Sequence, residues 1–234
     1  MAKAHLPLLD PAAMQSSLDD HGHARLPELL TKAECTSLRE LYDQEKRFRS
    51  FVDMGRHRFG EGDYRYFADP LPALVKKLRT RLYKTLVPIV NVWEERLGSK
   101  ARFPSTLREF TETCRAGDQT RPTPLLLHYE EGGYNCLHQD LYGPIHFPLQ
   151  VACLLSDPER DFTGGQLLLV EQRLRAQSRG EAISLAQGEG LVFPCRERPV
   201  EGKRGFHRVH VRHGVSSILS GERFTLGVIF HDAA

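Results

Sequence analysis

The stretch from Asn135 to Pro144, NCLHQDLYGP, sets a histidine and a carboxylate two residues apart, just ahead of a Gly-Pro turn. On an extended chain, residues two apart project from one face with Cα atoms about 6.6 Å apart, so His138 and Asp140 could both reach one ion. Alone the pair is weak evidence. With 11 histidines in the chain, about half an HxD match arises by chance. A third group must come from elsewhere, and the segment HVRHGV offers both His210 and His213, which residue type does not separate. Two imidazoles and one carboxylate on one face of an ion leave positions open, an arrangement that suits non-haem Fe(II) working with O2. Cys136 suggests a rival Cys-x-His-x-Asp zinc cluster. Thiolate is an unusual donor for an iron that must activate O2, and a small residue packed on a strand is the simpler reading.

The elements that would position these groups divide into two textures. Residues 1–120 read as a helical region. Thr31-Lys32-Ala33-Glu34 has the form of a capping box, with Leu38, Leu41, Tyr42 and Phe48 continuing a helical stripe. Leu71, Leu74, Val75, Leu78, Leu82 and Leu86 repeat at three- and four-residue steps towards Gly98, with Pro88 expected to kink or split the helix. A shorter helix is expected over 104–116, closed by Gly117. Between them, the glycines and charges of 55–70 mark a loop that would face substrate. Residues 121–234 instead carry about eight short β-rich runs, among them LLLHY (125–129), PLQVACLL (148–155), QLLLV (166–170), LVF (191–193) and FTLGVIF (224–230). Short strands separated by glycine turns, with no helices between, predict a sandwich or barrel. The fold class is α+β, one integrated unit whose helical front half packs on a β core.

Composition bounds the rest. At 234 residues the chain can bury a sizeable core, and 26% charged with 40% apolar residues is ordinary for a globular protein. Five cysteines without a CxxC pair argue against a disulfide framework or a zinc knuckle. The start, MAKAHLPLLDP, lacks an apolar leader, and no run is long enough to span a membrane, so a cytoplasmic setting is expected.

Taken together, HxD, then HGV, then an arginine ten residues after that histidine in Gly221-Glu222-Arg223, resemble the Fe(II)/2-oxoglutarate-dependent dioxygenases. GGYNCLHQDLYG is similar to the prolyl-hydroxylase pattern. Longer runs, including YRYFADPLP, RPTPLLLHY and RHGVSSILSGERFTLGVIFHDA, resemble a bacterial branch described as AlkB-like oxygenases acting on nucleic acid. The resemblance implies a double-stranded β-helix, or jelly-roll, with Fe(II), 2-oxoglutarate and O2 as cofactors. It implies His138, Asp140 and His213 as metal ligands, since His213 and not His210 is followed by glycine and stands ten before the arginine. It also implies that Arg223 clamps the far carboxylate of 2-oxoglutarate, a guanidinium fork being suited to bidentate carboxylate binding. Tyr129 and Asn135 fall near positions where relatives contact the co-substrate. His128, His146, His207 and His231 read as structural histidines, and Gly164-Gly165 as a turn.

The implied reaction decarboxylates 2-oxoglutarate to succinate and hydroxylates a substrate C–H bond. Its substrate is open between DNA or RNA and, alternatively, a protein side chain or small metabolite. Residues 46–84 carry 11 basic and 4 acidic side chains, a local +7, although the whole chain is only +2. There Arg47, Arg49, Arg56, Arg58 and Arg65 alternate with Phe48, Phe51, Phe59, Tyr64, Tyr66 and Phe67. Arginines could neutralise phosphates and aromatic faces could stack on an extruded base, with Arg56, Arg58, Tyr64 and Tyr66 as the substrate-facing set. The competing reading makes Lys76, Lys77, Arg79, Arg81 and Lys84 a solvated helix face and several aromatics core. Oligomeric state is not readable from the sequence.

Overall fold

The computed structural model describes residues 9–173 and 175–234; the reading of the extreme N-terminus falls largely on residues 1–8, outside the described residues. Helix α1 (Pro11–His21), strand β1 (Ala24–Leu26) and helix α2 (Lys32–Arg39) lead into β2 (Phe48–Asp53), the single turn α3 (Met54–His57), β3 (Gly60–Glu61) and β4 (Asp63–Phe67). Helices α4 (Ala73–Arg96) and α5 (Leu107–Ala116) follow. The remainder is strand: β5 (Leu125–Tyr129), β6 (Tyr134–His138), β7 (Leu149–Leu154), β8 (Phe162–Gly164), β9 (Leu167–Gln172) and β10 (Arg179–Ile183). Then come β11 (Gly190–Pro194), β12 (Glu197–Gly202), β13 (Gly205–Val215), β14 (Ile218–Gly221) and β15 (Arg223–Val228).

Two antiparallel sheets carry the site. The larger runs β1-β11-β7-β15-β5-β4-β2, and the smaller runs β10-β9-β13-β6-β3 with β12 beside β13. Successive long strands cross between them: β5, β7, β11 and β15 lie in the larger sheet, β6, β9 and β13 in the smaller. That alternation winds the double-stranded β-helix. Leu154, Leu191 and Phe193 from one sheet pack with Leu167, Leu169 and Val215 from the other. The opposite face of the larger sheet buries Leu126, Val151, Val192 and Leu226 against Leu78, Leu82, Leu86 and Trp93 of α4.

Helix ends follow local chemistry. Asp10 accepts the amides of Ala12 and Ala13 at the start of α1. Thr31 with Glu34, and Thr106 with Glu109, form complete capping boxes. At the end of α4, Gly98 at φ +70° and the bonds from the Gly98 and Ser99 amides to Glu95 and Glu94 make a Schellman close. Pro88 does not split α4. Pro88 and Lys84 are both exposed, so the carbonyl that loses its amide partner lies on the wetted face.

The helical reading of the front half needs correction. It also supplies β1, β2, β3 and β4, and β2 with β4 extends the larger sheet beyond β5. The segment 55–70, expected as a loop, holds α3, β3 and β4. Its pattern Asp63-Tyr64-Arg65-Tyr66 alternates at period two, the strand signature that glycine and charge obscured. Helix α2 ends at Arg39, so Leu41 and Tyr42 lie beyond it and Phe48 opens β2. Arg79 is not on a solvated face. It is 5% exposed and reaches the carbonyls of Ile229 and Phe230 and the Asp232 carboxylate.

Candidate active site

His138 and His213 meet because their strands pair: they are register partners between β6 and β13, with ring centroids 4.1 Å apart. His213 stands two residues from the end of β13. Its neighbour Gly214 explains the HG dipeptide. A Cβ there would meet the Asn135 carbonyl oxygen at 2.6 Å and that of Cys136 at 3.2 Å. Glycine lets β13 close on β6.

Asp140 arrives by a different route from the one spacing implied. His138 is the last residue of β6, so Asp140 lies beyond the strand rather than along its face. Its carboxylate turns back to stand 3.6 Å from His138 Nε2 and 3.0 Å from His213 Nε2. Potential ligand atoms of His138, Asp140 and His213 all lie within 4.8 Å of one another. His210 points away, with an exposed side chain 4.0 Å from Glu197. Cys136 is not part of this group among the described residues.

The surroundings hold the donors ready. His138 Nδ1 is 2.8 Å from the Cys136 carbonyl oxygen, which fixes Nδ1 as the N–H and leaves Nε2 as the donor atom. Tyr142 donates to Asp140 Oδ1 at 2.7 Å, leaving Oδ2 towards His213. Burial would push the Asp140 carboxyl up, but His213, then His138 and the Tyr142 hydroxyl, hold it well below the usual carboxylate range. Burial, and then the neighbouring His213, lower the pKa of His138. A neutral imidazole at His138 and an ionised carboxylate at Asp140 are the states in which those two groups can ligate a metal.

Arg223 and Tyr129 are register partners on β15 and β5. The guanidinium is 2% exposed, donates from Nη1 to Thr225 Oγ1 at 2.7 Å, and lies 5.7 Å from the Tyr129 ring centroid. Its Nε has no partner, and no carboxylate pairs with it among the described residues. Burial depresses its pKa to about 10. A buried cation without an anion is costly, so this group fits a ligand that brings one. Gly164-Gly165 does more than turn. A Cβ on Gly165 would meet Arg223 Cδ at 2.9 Å, so the glycine clears room for the arginine stem. Asn135 donates to the Tyr129 hydroxyl at 3.2 Å, placing both sequence-named residues together at the wall.

A cavity of about 380 Å³ between the sheets joins all of these, lined by the two histidines, Asp140, Arg223, Tyr129 and Asn135. Fe(II) fits the two-imidazole, one-carboxylate set, and 2-oxoglutarate fits the unpaired guanidinium beside it. The expected substrate-facing set separates. Tyr64 and Tyr66 belong to the cavity wall, and Tyr66 is 8% exposed. Arg58 lies at the mouth, while Arg56 is an exposed side chain 3.2 Å from Asp53. Sequence reasoning missed Tyr142, Thr225, Gln150 and Phe193. Tyr142 and Thr225 each follow a named residue by two, a signal available in HxDxY and RxT. His128, read as structural, bridges Asp63 at 3.1 Å and Glu222 at 2.8 Å.

Residues 62–233 match a family described as "Oxygenase, catalysing oxidative methylation of damaged DNA". "Uncharacterized protein Rv2227" of Mycobacterium tuberculosis H37Rv is 52% identical over 168 residues, covering 72% of each chain. A Pseudomonas putida prolyl-4-hydroxylase superposes with TM-score 0.58 at 14% identity, over 96% of this chain and 100% of that one. A 2OG-Fe(II) oxygenase family oxidoreductase from Burkholderia pseudomallei gives TM-score 0.56 at 15% identity, over 100% and 98%. At such identities these two establish the shared jelly-roll fold.

Proposed function

The chain belongs to this oxygenase family, and from that premise we propose that it hydroxylates a C–H bond using Fe(II), 2-oxoglutarate and O2, with a methylated base in nucleic acid as substrate. The observation that carries the reading is Arg223, a buried cation with no acid partner, in the same cavity as the clustered side chains of His138, Asp140 and His213. His138, Asp140 and His213 would hold the metal. Arg223 would take the distal carboxylate of 2-oxoglutarate, with Thr225 steadying the fork and Tyr129 and Asn135 closing the wall.

Bound iron with 2-oxoglutarate supplies an oxidant that hydroxylates an unactivated C–H bond while the co-acid becomes succinate and CO2. The protein keeps Asp140 ionised, holds His138 in one tautomer, and walls the reacting centre with Phe193, Leu127 and Leu167. Oxygen inserted into an N-methyl group gives a hemiaminal that sheds formaldehyde, so this chemistry removes methyl groups from damaged bases. Five unpaired cysteines support a reducing, cytoplasmic setting, and no helix among the described residues is long and apolar enough to cross a membrane.

A second reading, a peptide or small-metabolite substrate, draws support from the exposed apolar Phe59 and Leu137 at the mouth and from Arg56 standing against Asp53 rather than free. The test has two stages. Purified protein with Fe(II), 2-oxoglutarate, O2 and ascorbate should form succinate above a metal-free control. N-methylated oligonucleotides should then stimulate turnover and release formaldehyde. Succinate without that stimulation, but with stimulation by a peptide, selects the second reading. No succinate in any arm overturns the oxygenase mechanism.

A further inference from the structure

Gln150 sits on β7 in the cavity wall, 4% exposed, and its buried amide nitrogen has no hydrogen-bond partner. Buried side-chain amides in folded proteins nearly always find one. A donor left open inside a ligand cavity therefore asks for an acceptor that a ligand brings. Three facts narrow which ligand.

The distal carboxylate of the co-substrate is out of reach. β15 pairs with β7 so that Thr225 opposes Leu154 and Gly227 opposes Ala152. Continuing by twos along β7, Gln150 stands three rows from Arg223. At about 6.7 Å per row this is roughly 20 Å between Cα positions, so Gln150 does not share the distal carboxylate held at Arg223. Gln150 instead lies at the metal end. Its register partner on β11 is Phe193, whose ring centroid is 4.9 Å from that of His213. A substrate's reacting carbon must come to this place.

The walls beside it are aromatic and aliphatic. Tyr66 and Ile229 pack together with Tyr142 against them, and the two tyrosine rings meet edge-on with centroids 5.9 Å apart. A saturated ring or aliphatic side chain would leave the amide unanswered. A carboxamide offers a donor and an acceptor in one plane, which complements the edge of a heterocyclic base, and aromatic walls complement its faces. Resting on the oxygenase reading above, we infer that Gln150 reads the hydrogen-bonding edge of a nucleobase drawn out of its strand into this cavity.

The test uses protein loaded with Fe(II) and 2-oxoglutarate under argon, where no turnover occurs. Two single-stranded oligonucleotides are titrated, identical except that one carries an N-methylated adenine or cytosine where the other is abasic. Wild-type protein should favour the methylated strand at least tenfold. Gln150→Leu should lose that preference while keeping the affinity for the abasic strand and for 2-oxoglutarate. A tenfold preference surviving in Gln150→Leu overturns the inference, as does a wild type that does not distinguish the two strands. If the wild type fails to bind Fe(II) and 2-oxoglutarate, the oxygenase reading falls and the inference with it.

Discussion

Arg223 is the residue on which most depends. Losing a buried, charged hydrogen-bond partner costs about 2–5 kcal/mol. Arg223→Ala should therefore raise the 2-oxoglutarate concentration for half-maximal succinate formation more than tenfold, and an unchanged requirement would place the distal carboxylate elsewhere. Tyr142 makes a second test, because its hydroxyl holds Asp140 Oδ1 and leaves Oδ2 facing His213. Removing a group that orients a metal ligand typically lowers metal affinity about 10- to 100-fold. Tyr142→Phe should weaken Co(II) binding within that range by spectroscopic titration, whereas His210→Ala, exposed and turned away, should leave it unaltered. The charged members of the site were legible because HxD, HG and Arg223 fall in a spaced pattern. Gln150 was not. Its meaning comes from burial without a partner, which appears only when β7, β11 and β15 are set side by side.

At the scale of elements, the site is a product of strand pairing. His138 and His213 lie 75 positions apart and become neighbours through one rung of the β6–β13 ladder. Gly214 permits that rung, so Gly214→Ala should force the strands apart near Asn135. Overpacking of this kind costs about 1–3 kcal/mol. Urea unfolding should show the loss, and Co(II) affinity should fall with it; full affinity in a destabilised variant would mean that the pairing does not set the donor geometry. The strands of the back half were readable because apolar runs sit between glycine turns, and LLLHY coincides with β5. In the front half, β2 and β4 were hidden. Their alternation is short and rich in arginine, and what makes them strands is the edge of β5, which local sequence does not display. The Thr31 capping box and the Schellman glycine were visible because their partners lie within a few residues.

The whole molecule is closed by contacts of long sequence separation, the kind no local pattern reveals. Arg79 of α4 ties down residues 229–232, so the end of the chain is fixed to the helical layer behind the larger sheet. His231 is held in that segment, fully buried, with Nδ1 receiving the Phe147 amide at 3.2 Å and Nε2 unpartnered. Burial, and then the neighbouring His146, lower its pKa from 6.5 to about 3. In the folded protein it stays neutral where the unfolded chain takes a proton. Its contribution is therefore whole above pH 6.5 and is lost as pH falls from 6.5 towards 3. At about 1.4 kcal/mol per pH unit, roughly 2 kcal/mol is gone by pH 5. His128 has the opposite sign: burial works against its charge, but Asp63 and Glu222 prevail and raise its pKa, so what it contributes is kept below pH 6.5 and lost above its folded value. Its gain on acidification is complete by about pH 6.5, so it does not counter the loss below that value. Metal-depleted wild type should thus lose stability between pH 7 and 5 in urea titrations. His231→Asn, which keeps an acceptor for Phe147 and does not titrate, should show a flatter slope over the same window. Equal slopes for the two proteins would move the acid sensitivity to the other histidines with lowered pKa, His23, His138 and His146.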